Sequence, residues 1–207
     1  MGLKARSEDE LGHDGFGIGP FMRTSLEAKI VPGRRCGSCT LCCKVFAVPD
    51  VESPRSALCG HCVVGEGCSI HHARPAICRE FFCNWLLIET LGPEWQPERA
   101  GLVLQSVALP GGHQGLAIHV DPDVPDRWRA QPYYGRIKAW AAKAQQQTKP
   151  DGPIYFVIAE VHRRNFLVLP EREVDLGDFD DHEQMTIERR VANGRIEVFA
   201  RKLQPAG

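Results

Sequence analysis

Outside one short stretch the chain contains no cysteine: all nine lie between Cys36 and Cys83. It has no apolar run approaching the roughly 20 residues that cross a bilayer, so no membrane helix is expected. It has no excess of either charge. A net charge of -1 and a pI near 6.7 offer no general attraction for phosphate backbones, and no nucleic-acid partner is expected. It also lacks a phosphate-cradling Walker loop, a dinucleotide glycine fingerprint, a G-x-S-x-G elbow and an H-E-x-x-H helix. Those absences remove the recognisable hydrolase and nucleotide chemistries. The opening MGLKARSEDELGHDGFGIGPF carries charge where a secretory signal has its apolar core, and Arg6 stands where a myristoylation signal has Ser or Thr. The expectation is a cytoplasmic protein. Thiols stay reduced there, and clustered cysteines bind metal more often than they pair.

What is present is an ordinary globular composition. With 207 residues, 43% of them hydrophobic, the chain can bury a core without disulfide staples, so its sulfurs need another reason. An odd count also fits a complete disulfide set poorly.

The pattern divides into three parts. Residues 1–33 read as a flexible lead-in, broken by Gly12, Gly15, Gly17, Gly19 and Pro20, with Phe16, Ile18 and Phe21 able to dock. Residues 34–91 hold the cysteines and end in a stretch of helical spacing from Cys78 to Leu91, stopped by Gly92-Pro93. Residues 98–204 read as α+β. Strands are expected at 101–109 and 114–120, a helix at 131–147 with Tyr133, Ile137, Trp140 and Ala144 inward, and hairpins at 154–161/165–169 and 185–191/195–202. Asn193-Gly194 suits a type I′ turn. The fold class expected is α+β: a cysteine-rich metal-binding lobe with short helices on a mostly antiparallel sheet of about six strands, packed as one compact unit.

The sulfurs are spaced for metal. Cys36, Cys39 and Cys42 are separated by two residues each, with Cys43 directly after. A C-x2-C turn lets two side chains converge on one ion, and a third cysteine after two more residues is the spacing of three corners of an iron–sulfur cube. Cys43 is followed by Lys44, not by the proline of a bacterial ferredoxin run. A second partition groups Cys36, Cys39, Cys59 and Cys62 as C-x2-C-x19-C-x2-C, within the range of a four-cysteine zinc site. It leaves Cys42, Cys43, Cys68, Cys78 and Cys83, with His71 or His72, for another ion. Spacing alone leaves both partitions open. Arg34, Arg35, Lys44, Arg74 and Arg79 lie near the cysteines in sequence and can offset the charge of thiolates. His113, His119 and His162 have no paired partner at ligand spacing, and the acidic run Asp178, Asp180, Asp181 and Glu183 around His182 reads as a solvated loop.

RCGSCTLCC followed by GCSIHHARPAICREFFC resembles the CxxCxxCC family, the YkgJ-like cysteine-cluster proteins described as a zinc- or iron-chelating domain. The matching positions are Cys36, Cys39, Cys42 and Cys43, the isolated Cys59, then Gly67-Cys68, Ile70, Arg74-Pro75, Cys78-Arg79, Phe81 and Cys83. They span residues 34 to 86, under a third of the chain. The resemblance implies a ligand set of Cys36, Cys39, Cys42, Cys43, Cys59, Cys68, Cys78 and Cys83, binding zinc or iron, the latter including a 4Fe-4S cluster. Cys62 then falls outside the set, and His71 stands where the family has tyrosine. Flagellin lysine N-methylases carry a similar cysteine cluster, so a metal-dependent modification enzyme is the alternative, alongside a thiol-based redox or metal sensor.

Overall fold

The computed structural model describes residues 29–203 except His182 and Asn193. Most of the lead-in, and Asn193 of the expected type I′ turn, lie outside the described residues.

The cysteine region forms short pieces: α1 (Cys42–Val45), the paired strands β1 (Cys62–Val63) and β2 (Gly67–Cys68), then α2 (Ala76–Glu80), α3 (Asn84–Leu87) and α4 (Pro97–Ala100). The body follows with β3 (Leu102–Leu109), β4 (His113–Val120), α5 (Tyr133–Gln147), β5 (Tyr155–Val161), β6 (Arg164–Val168), β7 (Glu173–Asp178), β8 (Met185–Ala192) and β9 (Arg195–Lys202). The class is α+β. Among the described residues no helix is long and apolar enough to cross a membrane.

Two expectations change. The main sheet has five strands in the order β3-β4-β5-β6-β7, while β8 and β9 pair only with each other as a separate ribbon. The extra member is β7, whose EVDLGD carries too much charge to read as a strand; as an edge strand it needs only one apolar flank. All pairings in the sheet are antiparallel except β4–β5, which is parallel because the chain returns through α5 before re-entering beside β4.

The single helix expected over 78–91 is two helices, α2 and α3, separated by an extended passage at Phe81 and Cys83. On an unbroken helix Cys78 and Cys83, five residues apart, would point about 140° apart. The break lets Cys83 turn inward and become 8% exposed, while the Phe81 ring packs edge-on against Phe46 at 4.9 Å.

The sheet is covered on both faces. On one side α5 presents Tyr133, Ile137, Ala141 and Ala144 to Leu102, Leu104, Ile118 and Val157. Ala141 takes the buried place expected of Trp140, whose larger ring lies half-buried at the margin against Trp95. On the other side the β8–β9 ribbon puts Ile187 and Val198 against Phe156, Ile158 and Leu167. The rest of that second face, around Val103, is covered by the cysteine region through Leu41, Val45 and Leu86. A cavity lies beneath this cover.

Candidate functional site

The cavity between the cysteine region and the sheet has a volume of about 380 Å3. Eight cysteines line it: Cys36, Cys39, Cys42, Cys43, Cys59, Cys68, Cys78 and Cys83. The ninth, Cys62, is not on its wall but is hydrogen-bonded through its thiol to Cys43.

Local structure explains how four separated segments reach one wall. The first loop closes on itself with Cys39 N–H donating to the Cys36 carbonyl at 3.0 Å, and α1 then carries Cys42 and Cys43. Cys59 N–H donates to the Cys43 carbonyl at 3.0 Å, which ties the second segment to the first. Cys62 pairs with Cys68 across the β1–β2 ribbon. The ribbon presses on the first loop so closely that a side chain on Gly67, held at φ +110°, would meet the Gly37 carbonyl oxygen at 2.6 Å. Pro75 opens α2, which delivers Cys78, and Cys83 stands at the head of α3.

The thiols fall into two neighbourhoods. Cys36, Cys39, Cys42 and Cys83 pack in one apolar cluster with Leu41, Val45 and Leu86. Cys59, Cys62 and Cys68 gather about Cys43, and Cys78 lies close enough to Cys43, Cys59 and Cys68 to feel their charge. The alternative grouping of Cys36 and Cys39 with Cys59 and Cys62 is therefore split between the two. The joint is Cys42–Cys43, whose sulfurs are 3.9 Å apart.

Most of these thiols are held protonated by their surroundings. Burial raises Cys36, Cys39 and Cys78, and pushes Cys83 up to about 11. Cys43 is instead lowered to about 6, first by its hydrogen bond with Cys42 and further by Cys62 and the Arg74 guanidinium. A bound cation would reverse the trend for the others, because a coordinating thiol gives up its proton to the metal's charge. The donor chemistry thus fits a soft or borderline ion. As the side chains stand, no group of three or more His, Cys, Asp or Glu among the described residues is arranged to hold one.

The basic residues divide by what they touch. Arg35 and Arg74 line the cavity, and Arg74 Nε donates to the His71 carbonyl at 3.0 Å. Arg34 instead donates to the Trp85, Ile88, Glu89 and Leu91 carbonyls, and stacks on the Trp85 ring. Lys44 reaches Asp121 at 2.7 Å and Asp123 at 2.5 Å, and Arg79 is exposed. His61 and His71 border the cavity, and His72 is exposed with its ring against His71.

The opposite wall belongs to the sheet, and the sequence showed little of it. Gln105 on β3, His119 on β4 and Glu160 on β5 all border the cavity. His119 is paired with Val103 on one side and with Glu160 on the other, and Gln105 with Ala117, so alternation along the strands puts all three polar groups on one face. Arg55 closes on Glu160 and donates to Asp181 at 3.0 Å, tying one still-exposed carboxylate of the acidic run to the edge of the cavity. The signal in the sequence was a histidine and a glutamine inside otherwise apolar strands. Their partners come from three strands and a loop, which spacing cannot display.

No family model, curated protein or solved structure matches this chain.

Proposed function

We propose that this protein binds zinc or iron through the eight cysteines of the cavity wall, in two groups of four. One group is Cys36, Cys39, Cys42 and Cys83; the other is Cys43, Cys59, Cys68 and Cys78. The observation that carries the reading is the delivery of eight thiols from four separated chain segments to one cavity. Hydrophobic packing alone has no reason to collect so many sulfurs there, since leucine or valine would fill the space more stably. Arg35 and Arg74 would offset the charge of the thiolates, and the resemblance of the cysteine spacing to the CxxCxxCC proteins points the same way. Four thiolates close the coordination shell of a tetrahedral ion, so the metal would serve structure or electron handling and not Lewis-acid catalysis. Cys62 stays outside both groups as a neighbour of Cys43.

A second reading, a metal-dependent modification enzyme, draws on one observation: the cavity extends past the thiols to a polar wall at Gln105, His119 and Glu160.

The test is elemental analysis with an absorption spectrum on protein purified without oxygen. Colourless protein with about two zinc ions, or brown protein with iron and matching sulfide, is the expected result. Cys83→Ser and Cys78→Ser should each remove metal from one centre and leave the other, whereas Cys62→Ser keeps both. A folded, metal-free protein with nine titratable thiols would overturn the proposal.

A further inference from the structure

The β1–β2 ribbon sets two sulfurs side by side. Cys62 and Cys68 are direct partners in its register. Ser69 N–H donates to the His61 carbonyl at 2.8 Å, which makes His61 and Ser69 a hydrogen-bonded pair. Pairs alternate along an antiparallel ribbon, so Cys62 and Cys68 are a non-hydrogen-bonded pair. In such a pair the Cα atoms lie about 4.5 Å apart and the side chains leave the same face. That separation falls inside the roughly 4.4–6.8 Å that a disulfide spans. The ribbon is held in this shape. Glu66 N–H closes the turn on the Val63 carbonyl at 3.0 Å, and Gly67 is seated against Gly37 of the first loop. Both thiols are free and half-buried, and the tip beside them lies in solvent, with Val64 81% exposed. A small oxidant reaches the pair without any unfolding.

The two sulfurs differ in where they stand. Cys68 lines the cavity with the second group of thiols, and Cys62 does not. Metal ligation gives no reason for a cysteine at 62. A valine, as at the next position, would fill a half-buried strand site without an oxidisable atom.

We propose that Cys62 is an oxidation trigger for the second metal group: under peroxide it forms a disulfide with Cys68 and removes that ligand. The consequence for metal rests on the metal reading, while the bond rests on the ribbon geometry. In the first step the Cys68 sulfur takes one oxygen of the peroxide. The O–O bond breaks, an S–OH group forms, and the other oxygen leaves as water with the thiol proton. Cys62 is held protonated by burial and is the resolving thiol. Its sulfur then displaces the hydroxyl from Cys68, its proton goes to the departing hydroxide, and a second water leaves. Two thiols are oxidised by one electron each, and the peroxide takes both electrons. Cys43 is the other sulfur beside Cys62, but it stands on α1, where no backbone pairing fixes the two sulfurs together.

The experiment uses the full chain loaded with zinc, which has no redox chemistry of its own. One equivalent of hydrogen peroxide should remove two titratable thiols and one of the two bound zinc ions, and dithiothreitol with fresh zinc should restore both. Cleavage after Glu66 parts the two cysteines, so the bond appears as a linked pair of fragments, which tandem mass spectrometry assigns to Cys62 and Cys68. Cys62→Ser should keep both zinc ions before treatment and release zinc at least about tenfold more slowly under peroxide. A bond from Cys62 to Cys43, no bond at all, or equal zinc loss in the variant would overturn the proposal. Should Cys62→Ser not fold, the mapped bond in the wild type still decides. Zinc content before peroxide tests the metal reading separately, so zinc-loaded protein that forms no Cys62–Cys68 bond defeats this inference alone.

Discussion

His119 concentrates the most chemistry per residue in this molecule. Its neutral, buried imidazole ties stability to pH in a definite direction. An ordinary histidine titrates near 6.5, and His119 is lowered to about 3 by burial and then by Arg55. Between those values the unfolded chain holds a proton that the folded chain does not, so stability is present above about 6.5 and is lost as pH falls toward 3. Within the window the slope approaches about 1.4 kcal/mol per pH unit for one site. Urea unfolding at pH 7 and pH 5 should show a loss of about 2 kcal/mol that His119→Gln abolishes; a loss of the same size in the variant would assign it to other groups. The cysteines were legible as a set from their spacing. His119 was not, because a lone histidine in a strand gains meaning only from what adjacent strands place beside it.

At the scale of elements, two contacts hold the cysteine region in shape. Gly67 is required twice over: its φ of +110° strains any residue with a side chain, and the Gly37 carbonyl occupies the space a Cβ would fill. Gly67→Ala should push the β1–β2 ribbon off the first loop and cost about 2 kcal/mol or more. Thiol reactivity gives a second readout, since Cys59 and Cys68 should label faster than in the wild type. The other contact is Arg34, whose guanidinium gathers the Trp85, Ile88 and Leu91 carbonyls of α3 and the turn after it. Arg34→Met should cost about 2 kcal/mol in thermal or denaturant unfolding, and Arg34→Lys should recover less than half, because a single ammonium cannot span that fan of acceptors. The arginine's place in the sequence suggests a counter-charge for thiolates. Its neighbours in sequence are cysteines, but the chain folds it toward α3 instead. The helix expected at 78–91 fails for a related reason. Its periodicity is real, yet burial of Cys83 and Phe81 on the same side needs the extended passage between α2 and α3.

Over the whole molecule, the sheet and the cysteine region are stabilised by different means. The sheet buries Leu102, Ile118, Val157 and Leu167 almost completely between α5 and the β8–β9 ribbon. The cysteine region has short helices, two-residue strands and few fully buried side chains. If metal supplies what its core lacks, chelation should act locally. Hydrogen exchange after treatment with a strong chelator should show lost protection through 36–83, while the amides of β4 and β5 keep theirs. Uniform loss in both parts would mean that the cavity and the sheet unfold as one unit. Lys44, paired with Asp121 and Asp123 at the end of β4, is the contact to watch, because it joins the two parts through charge.

The sequence by itself determined the α+β class, the helix expected at 131–147 and found from Tyr133, most of the strands and the one segment where the sulfurs lie. Each of these is written in periodicity or in local spacing, which need only a residue and its near neighbours along the chain. Only the tertiary structure decided that β8 and β9 leave the main sheet, that β7 joins it, and that the eight thiols divide as they do. It alone decided that Gln105, His119, Glu160 and Arg55 meet across the cavity. Those outcomes depend on which faces pack together, and strand pairing brings side chains within hydrogen-bond reach when their positions are far apart in sequence.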